Sequence, residues 1–542
     1  MADPYLARLQ NGVDSGVFRQ LAVGWSDGSQ TGPDQSKTWY LGNGDKPDAD
    51  STFEIGAASE IFTGLLLAQA AIEGKVGMDS TVRELMPKDF PFADPALAAI
   101  TLRQLAARRS GLPAAPANLF PRNTNDPYAD FDEPALLTFL ANTRLAAGVA
   151  TPAYSLLDTG LLGDLLGRAY AQRFAVVLVS RILDPLGMSH TGVGDGEHLL
   201  TGYGHGQPVS HWHFGALAGA AGLRSTLPDL LRFVQANLNP QQSPLRAALL
   251  LSRQPQDDAS QSVGLGWNTV LVADGDQQWP LVWRASRTAG FSVFLGFRTD
   301  KQQALVLLGN TDADLSAIGI AWLEARAVPP LPPAPPAMPQ AADLAAYAGL
   351  YRIPGGGDFT VRATADALSA QFPGQFPIPL RAVGQDVFAA VGDAFVLSFQ
   401  REAHAVTSVL FGHGGANVLA DRLSARAPRL KRVTLSLPEA TRHDYVGDYR
   451  LDADTLLRVS PSADALAIQA SGMPALALAA FAPDRFADAD GACEIHFLRD
   501  EKHDVTALKI MLGGAERSAA RVVWSTPTMR WRGSVRLRML RR

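Results

Sequence analysis

The sequence predicts an α+β domain followed by two small antiparallel β-barrels, and three observations carry that expectation. A proline-rich run, VPPLPPAPPAMPQAA from Val328 to Ala342, divides the chain; such a run favours extended polyproline conformation and acts as a semi-rigid spacer. Before it, helical periodicity alternates with short apolar runs, a mixture that indicates an α/β or α+β domain, whereas after it short β segments are separated by Gly and Asp turns. The second half also repeats itself. YAGLYR at Tyr347 to Arg352 returns as YVGDYR at Tyr445 to Arg450, an offset of 98 (445 minus 347), and VTSVLFGHGGA from Val406 returns as VTALKIMLGGA from Val505, an offset of 99 (505 minus 406). Two anchors with nearly equal offsets mark two copies of one module, each the size of a small closed barrel.

Taken in order, residues 1–327 form the expected first domain, 328–342 the linker, 343–427 the first barrel and 434–530 the second. Within the first domain, AVGWSD from Ala22 and ALVLLGN from Ala304 read as strands. Ile61, Leu65, Leu66 and Ala68 to Ile72 fit one face of an amphipathic helix. In the barrels, the pairs Tyr347/Tyr351 and Tyr445/Tyr449 read as core residues at strand starts. The lone cysteine, Cys493, has no internal disulfide partner and reads as a buried structural thiol.

Composition bounds the function. A 542-residue chain with 47% apolar and 19% charged residues is ordinary for a folded multi-domain protein, and a net charge of -5 gives no reason to expect nucleic acid. The most apolar helix candidate, Phe62 to Ile72, is far shorter than the ~20 residues that span a bilayer. MADPYLARLQNG carries no basic stretch followed by an apolar run, so the chain as given reads as cytoplasmic, or periplasmic if it is a processed form. The arginines Arg530, Arg532, Arg536, Arg538, Arg541 and Arg542 read as a solvated basic tail.

Several stretches carry candidate chemistry. FEIGAASEIFTGLLLAQAAIEGKVGMDSTVRELMP, Phe53 to Pro87, resembles the first motif region of the serine β-lactamase and penicillin-binding-protein-like family, in particular its class C β-lactamase and D-aminopeptidase/esterase branch. Further landmarks follow in family order: ITLRQLAARRSGLP from Ile100, PAYSLLDTGLLGDLLG from Pro152, ILDPLGMSHTG from Ile182, GLRSTLPDLLRF from Gly222 and SRTAGFSVFLGF from Ser286. The paired modules resemble the lipocalin-like barrels that follow this domain in D-aminopeptidase relatives.

The resemblance implies a serine one helical turn before a lysine, so that the amine can take the hydroxyl proton. Ala57 stands at the serine position and Glu60 at the lysine position. Ser59 points about 200° away from Ala57 around a helix axis, which makes it a poor substitute. The second motif reads Tyr154-Ser155-Leu156, with leucine in place of the amide, and the third reads Arg284-Ala285-Ser286, with neither threonine nor glycine. If the helix start faces the closing strand as in the family, Glu60 and Arg284 form an ion pair across the old pocket.

Three readings remain open from sequence. The first is a ligand-binding pseudo-hydrolase with Arg284 and Arg287 as ligand contacts. The second is a repurposed enzyme in which Glu60 and Tyr154 act as base and acid. The third is serine hydrolysis through another nucleophile. A small molecule or peptide is the expected partner, with no cofactor. His205, His211 and His213 read as solvated loop residues rather than metal ligands, Ser155 and Asp158 as caps of the following helix, and Arg108 as a surface cation.

Overall fold

In the computed structural model, which describes residues 3–27, 36–145, 154–256, 261–274, 277–332, 334, 341–355, 357–364, 367–390, 395–413, 416–425, 434–462, 465–489 and 491–525, the expected helix runs Ser59–Ile72. It is not amphipathic. Only its C-terminal end, at Gln69, Ala71 and Ile72, reaches solvent, because the helix is wrapped by other elements on every side. Phe62 stacks on Phe233 at 4.3 Å and Phe233 on Trp267 at 5.8 Å, an aromatic column closed edge-on by Phe297. A helix buried all round needs an apolar circumference, and SEIFTGLLLAQAAI supplies one.

Two compact units divide the chain: Met1–Pro116 with Asn125–Ala334 and Trp524–Arg542, and Ala117–Thr124 with Pro335–Val523. The first unit is built on a seven-stranded antiparallel sheet in the order Lys37–Gly42, Gln20–Ser26, Gln303–Gly309, Ser292–Arg298, Gln277–Arg287, Asn268–Asp274 and Gln261–Val263. The strands read from AVGWSD and ALVLLGN pair with each other, Ala22 opposite Leu308 and Val23 opposite Leu307. A smaller sheet joins Thr52–Glu54, Leu223–Thr226 and Gly192–Val193. It leads directly into the turn Gly56–Ala58 and the buried helix.

The second unit holds two closed eight-stranded antiparallel barrels, Gly349–Ile353 through Ala416–Ser424 and Gly447–Arg450 through Ala515–Arg521. Their repeat extends well beyond the two sequence anchors. Tyr347 donates to Asp386 (2.7 Å) and Tyr445 to Asp484 (2.9 Å); Arg401 and Arg499 bind those same carboxylates at 2.8 and 2.9 Å and lie over the same tyrosine rings. Tyr351 and Tyr449 donate to the carbonyls of Tyr347 and Tyr445. All four tyrosines are buried. Burial pushes the phenols of Tyr351 and Tyr449 up to about 12. Cys493 is buried in the second barrel core, and burial raises its thiol well above the ordinary range.

No helix among the described residues is long and apolar enough to cross a membrane. The basic tail from Arg530 lies outside the described residues.

Candidate functional site

The site begins where the small sheet hands the chain to the buried helix. Gly56 adopts a left-handed conformation at φ +49, and a Cβ there would stand 2.5 Å from Ser286 Oγ. The strand Gln277–Arg287 therefore lies hard against the turn, which only glycine permits. Ser286 faces Gly56, and its buried hydroxyl has no partner among the described residues. Ala57 follows, and one helical turn on stands Glu60, 1% exposed.

Glu60 meets two guanidinium groups. Arg284, 4% exposed, reaches its Oε2 at 2.8 Å and also donates through Nε to the carbonyl of Ala57 at 3.1 Å. The pair expected from sequence is thus present, and Arg284 spans both key helix positions at once. The surface reading of Arg108 is overturned. Its side chain is 14% exposed and bonds the same Oε2 through Nε and Nη2, each at 3.0 Å. The reason is local: Arg108 sits left-handed at φ 56 in the turn that ends Leu102–Ala106, so its side chain folds inward. Its Nη2 also donates to the carbonyl of Gly266 at 3.3 Å. Gly266, at φ +86, lies so close to the helix that a Cβ would stand 2.7 Å from the Glu60 carbonyl oxygen.

Burial pushes Glu60 up, to about 7, against the pull of Arg108. Arg284 is permanently charged and 2.8 Å away, which favours the charged form of the carboxyl. The other carboxylate oxygen, Oε1, is buried without a partner among the described residues. Nearby, Asp158 is buried and bonded to the Ser110 hydroxyl. Burial pushes Asp158 up to about 8, against the Ser110 hydrogen bond and with the Glu60 charge adding to the rise. Tyr154 is 48% exposed at the rim, and desolvation followed by the Glu60 charge raises its phenol.

Leu156 is buried as the first residue of the helix Leu156–Ala169, with its N–H on the carbonyl of Ala114. Ser155 caps that helix by accepting from Leu157 N–H at 3.2 Å, as expected, whereas Asp158 turns away from the cap to Ser110. Ser59 is buried, donating to Gly56 O at 2.7 Å and accepting from Leu223 N–H at 3.0 Å, which ties the helix start to the small sheet. Arg287 is exposed at the end of its strand.

The β-lactamase family profile matches residues 32–328, more than half of the chain. The chain belongs to the β-lactamase family. It is 25% identical over 308 residues to a β-lactamase of Escherichia coli (strain K12), covering 50% of this chain and 78% of that protein. It is 24% identical over 322 residues to a β-lactamase of Pseudomonas fluorescens, covering 52% and 86%. Among solved structures it is similar to a β-lactamase/D-alanine carboxypeptidase from Pseudomonas syringae, with 21% identity and a TM-score of 0.49, covering 57% of this chain and 93% of that one.

Elsewhere in the β-lactamase-family domain, the three histidines part company. His205 bonds Asp312 at 3.0 Å, His211 the carbonyl of Leu200 at 3.0 Å, and His213 bridges Asp126 and Asp195 at 2.6 and 2.9 Å. Burial lowers the His213 pKa, but the two carboxylates outweigh it and the net shift is upward. No group of three or more His, Cys, Asp or Glu among the described residues is arranged to hold a metal ion. A cavity of about 400 Å³, lined by Thr52, His190, Asp195, Glu197, His198 and Arg224 among others, includes none of Glu60, Tyr154 or Arg284.

Sequence reasoning missed Arg108 and the Asp158–Ser110 pair. No local letter pattern signals the Arg108 contact: the left-handed backbone of Arg108, φ 56, is what turns that side chain inward.

Proposed function

We propose that this protein is a non-hydrolytic member of its family, within the class C and D-aminopeptidase/esterase branch, that binds a small molecule or short peptide without being acylated by it. One observation carries the reading: the carboxylate at the lysine position is locked between Arg284 and Arg108, and Arg284 simultaneously caps the carbonyl of Ala57. A methyl at residue 57 cannot attack a carbonyl, and an anion held by two cations is a weak base. The ligand-binding elements left are the exposed Arg287, the Tyr154 rim and the strand end Arg284–Arg287. That strand end pairs with Ser292–Leu295 on one side, while the pairing with Asn268–Asp274 stops at Trp283. A strand end with no ladder partner on that side among the described residues, beside a cation, suits an extended amide with a terminal carboxylate.

The test is turnover of p-nitrophenyl esters, D-aminoacyl anilides and a chromogenic β-lactam by the unmodified protein, with Glu60→Gln alongside, and ligand binding followed by calorimetry. Silence across the panel with measurable binding of a carboxylate-bearing peptide is expected. Turnover lost in Glu60→Gln would replace this reading with a second one, which the bare Oε1 of Glu60 favours: an acid-base catalyst in which that oxygen receives a substrate proton and the raised Tyr154 phenol returns one.

A further inference from the structure

The two barrels carry the same pair of hydrogen-bond donors at the same place. In the first barrel, Gln371 Nε2 donates to Gln375 O at 3.1 Å and to Ala492 O at 2.6 Å, while Gly374 N–H donates to Leu512 O at 2.8 Å. Moving on by the repeat offset of 98 (469 minus 371, 472 minus 374) gives Gln469 and Gly472. Gln469 Nε2 donates to Met473 O at 2.9 Å and to Pro121 O at 2.8 Å, and Gly472 N–H to Leu119 O at 2.8 Å. Both glycines are left-handed, at φ +77 and +72. One turn design therefore captures two different backbones: the first barrel takes the second, and the second takes residues 117–124, which fall in the same compact unit.

The second capture is the fuller one. The Ser471 hydroxyl donates to Ala117 O, so the carbonyls of residues 117, 119 and 121 are bound in alternation. Arg458 lies 4.1 Å over the Phe120 ring, and Leu119 and Phe120 are buried. The captured groups are carbonyls of Ala117, Leu119 and Pro121 in one case and of Ala492 and Leu512 in the other, so the turn reads main chain and not a side-chain signature.

We infer that this Gln-x-x-Gly turn is a main-chain recognition site built into each barrel, and that in the second barrel it works as an intramolecular clasp whose ligand is the chain's own segment 117–124. The aromatic contact from Arg458 fixes which residue of the segment sits where, while the alternating carbonyls supply the hold.

Trypsin tests it in the full-length protein. Arg122 is exposed, so cleavage after it is limited by release of the backbone rather than by access to the side chain. Cleavage at Arg122 is expected to be at least tenfold faster in Gln469→Leu/Ser471→Ala than in the unmodified protein, and unchanged in Gln371→Leu, which disturbs the equivalent turn of the other barrel. Should the double variant fail to fold, Ser471→Ala alone removes one of the three carbonyl bonds and is expected to accelerate the same cleavage, by less. Equal cleavage in unmodified protein and folded second-barrel variants would overturn the clasp, as would an equal acceleration by Gln371→Leu.

Discussion

Replacing Glu60 with glutamine removes one charge from a buried cluster and keeps its shape, which makes it the sharpest probe of what holds the helix start to the closing strand. At an effective dielectric near 20, unit charges 2.8 Å apart attract by about 6 kcal/mol before desolvation is subtracted. Desolvation offsets much of that in the intact cluster. In Glu60→Gln the desolvation of Arg284 and Arg108 remains while their counter-charge is gone, and breaking a buried pair in this one-sided way costs about 3–5 kcal/mol. At about 2 °C per kcal/mol for a large domain, the midpoint of the first domain should fall by roughly 6–10 °C. Scanning calorimetry at about pH 8, above the raised value of the Glu60 carboxyl, measures it. A shift under about 1 °C, or a gain in stability, would refute the claim that Arg284 and Arg108 are held in place by the Glu60 charge.

Other consequences can be checked separately. Ala57→Ser should form no covalent adduct with a β-lactam or an activated ester, read by intact-mass spectrometry, because no amine stands near the new hydroxyl; robust acylation would show that Glu60 serves as a base. Asp158 has its pKa raised from 3.8 to about 8, so the folded state keeps a proton that the unfolded chain releases. Its contribution is fully present below about 3.8 and is lost as pH rises through about 8, with an upper bound on the order of 5 kcal/mol. The melting temperature should therefore decline from about pH 5 to about pH 9, and Asp158→Asn should flatten that slope; an unchanged slope would sink the assignment. In the barrels, Asp386→Ala and Asp484→Ala each strand a buried tyrosine hydroxyl and an arginine, costing about 2 kcal/mol apiece; clearly unequal losses in denaturant titrations would contradict the equivalence of the two copies.

The sequence made the β half legible at coarse grain, because a repeat needs only two aligned anchors to show itself. Its finer equivalences, such as Arg401 with Arg499, lay unnoticed between those anchors. The central helix is legible in the sequence but its burial is not: its leucines and alanines fit a period of 3.6, yet in the fold they cover every face. The Glu60–Arg284 pair was reachable from motif order, since both positions are anchored by neighbours, Gly56 on one side and Gly290-Phe291-Ser292 on the other. Arg108 was not, because its contact depends on one left-handed residue in a turn, and the sign of a single φ is invisible in the letters around it. The three histidines looked like a cluster only in one dimension; the fold sends each to a different partner.

The double duty of Arg284 also bears on how such a protein could change. A mutational path to a serine-lysine site has no easy first step. Lysine at residue 60 would crowd a third cation against Arg108 and Arg284 where water is excluded, and serine at residue 57 would find the neighbouring carbonyl already taken and no amine to activate it. Removing Arg284 first would leave Glu60 leaning on Arg108 alone. On the proposed reading, each of these changes is unfavourable until the others have happened, so the trio Ala57, Glu60 and Arg284 resists stepwise conversion to a serine-lysine site.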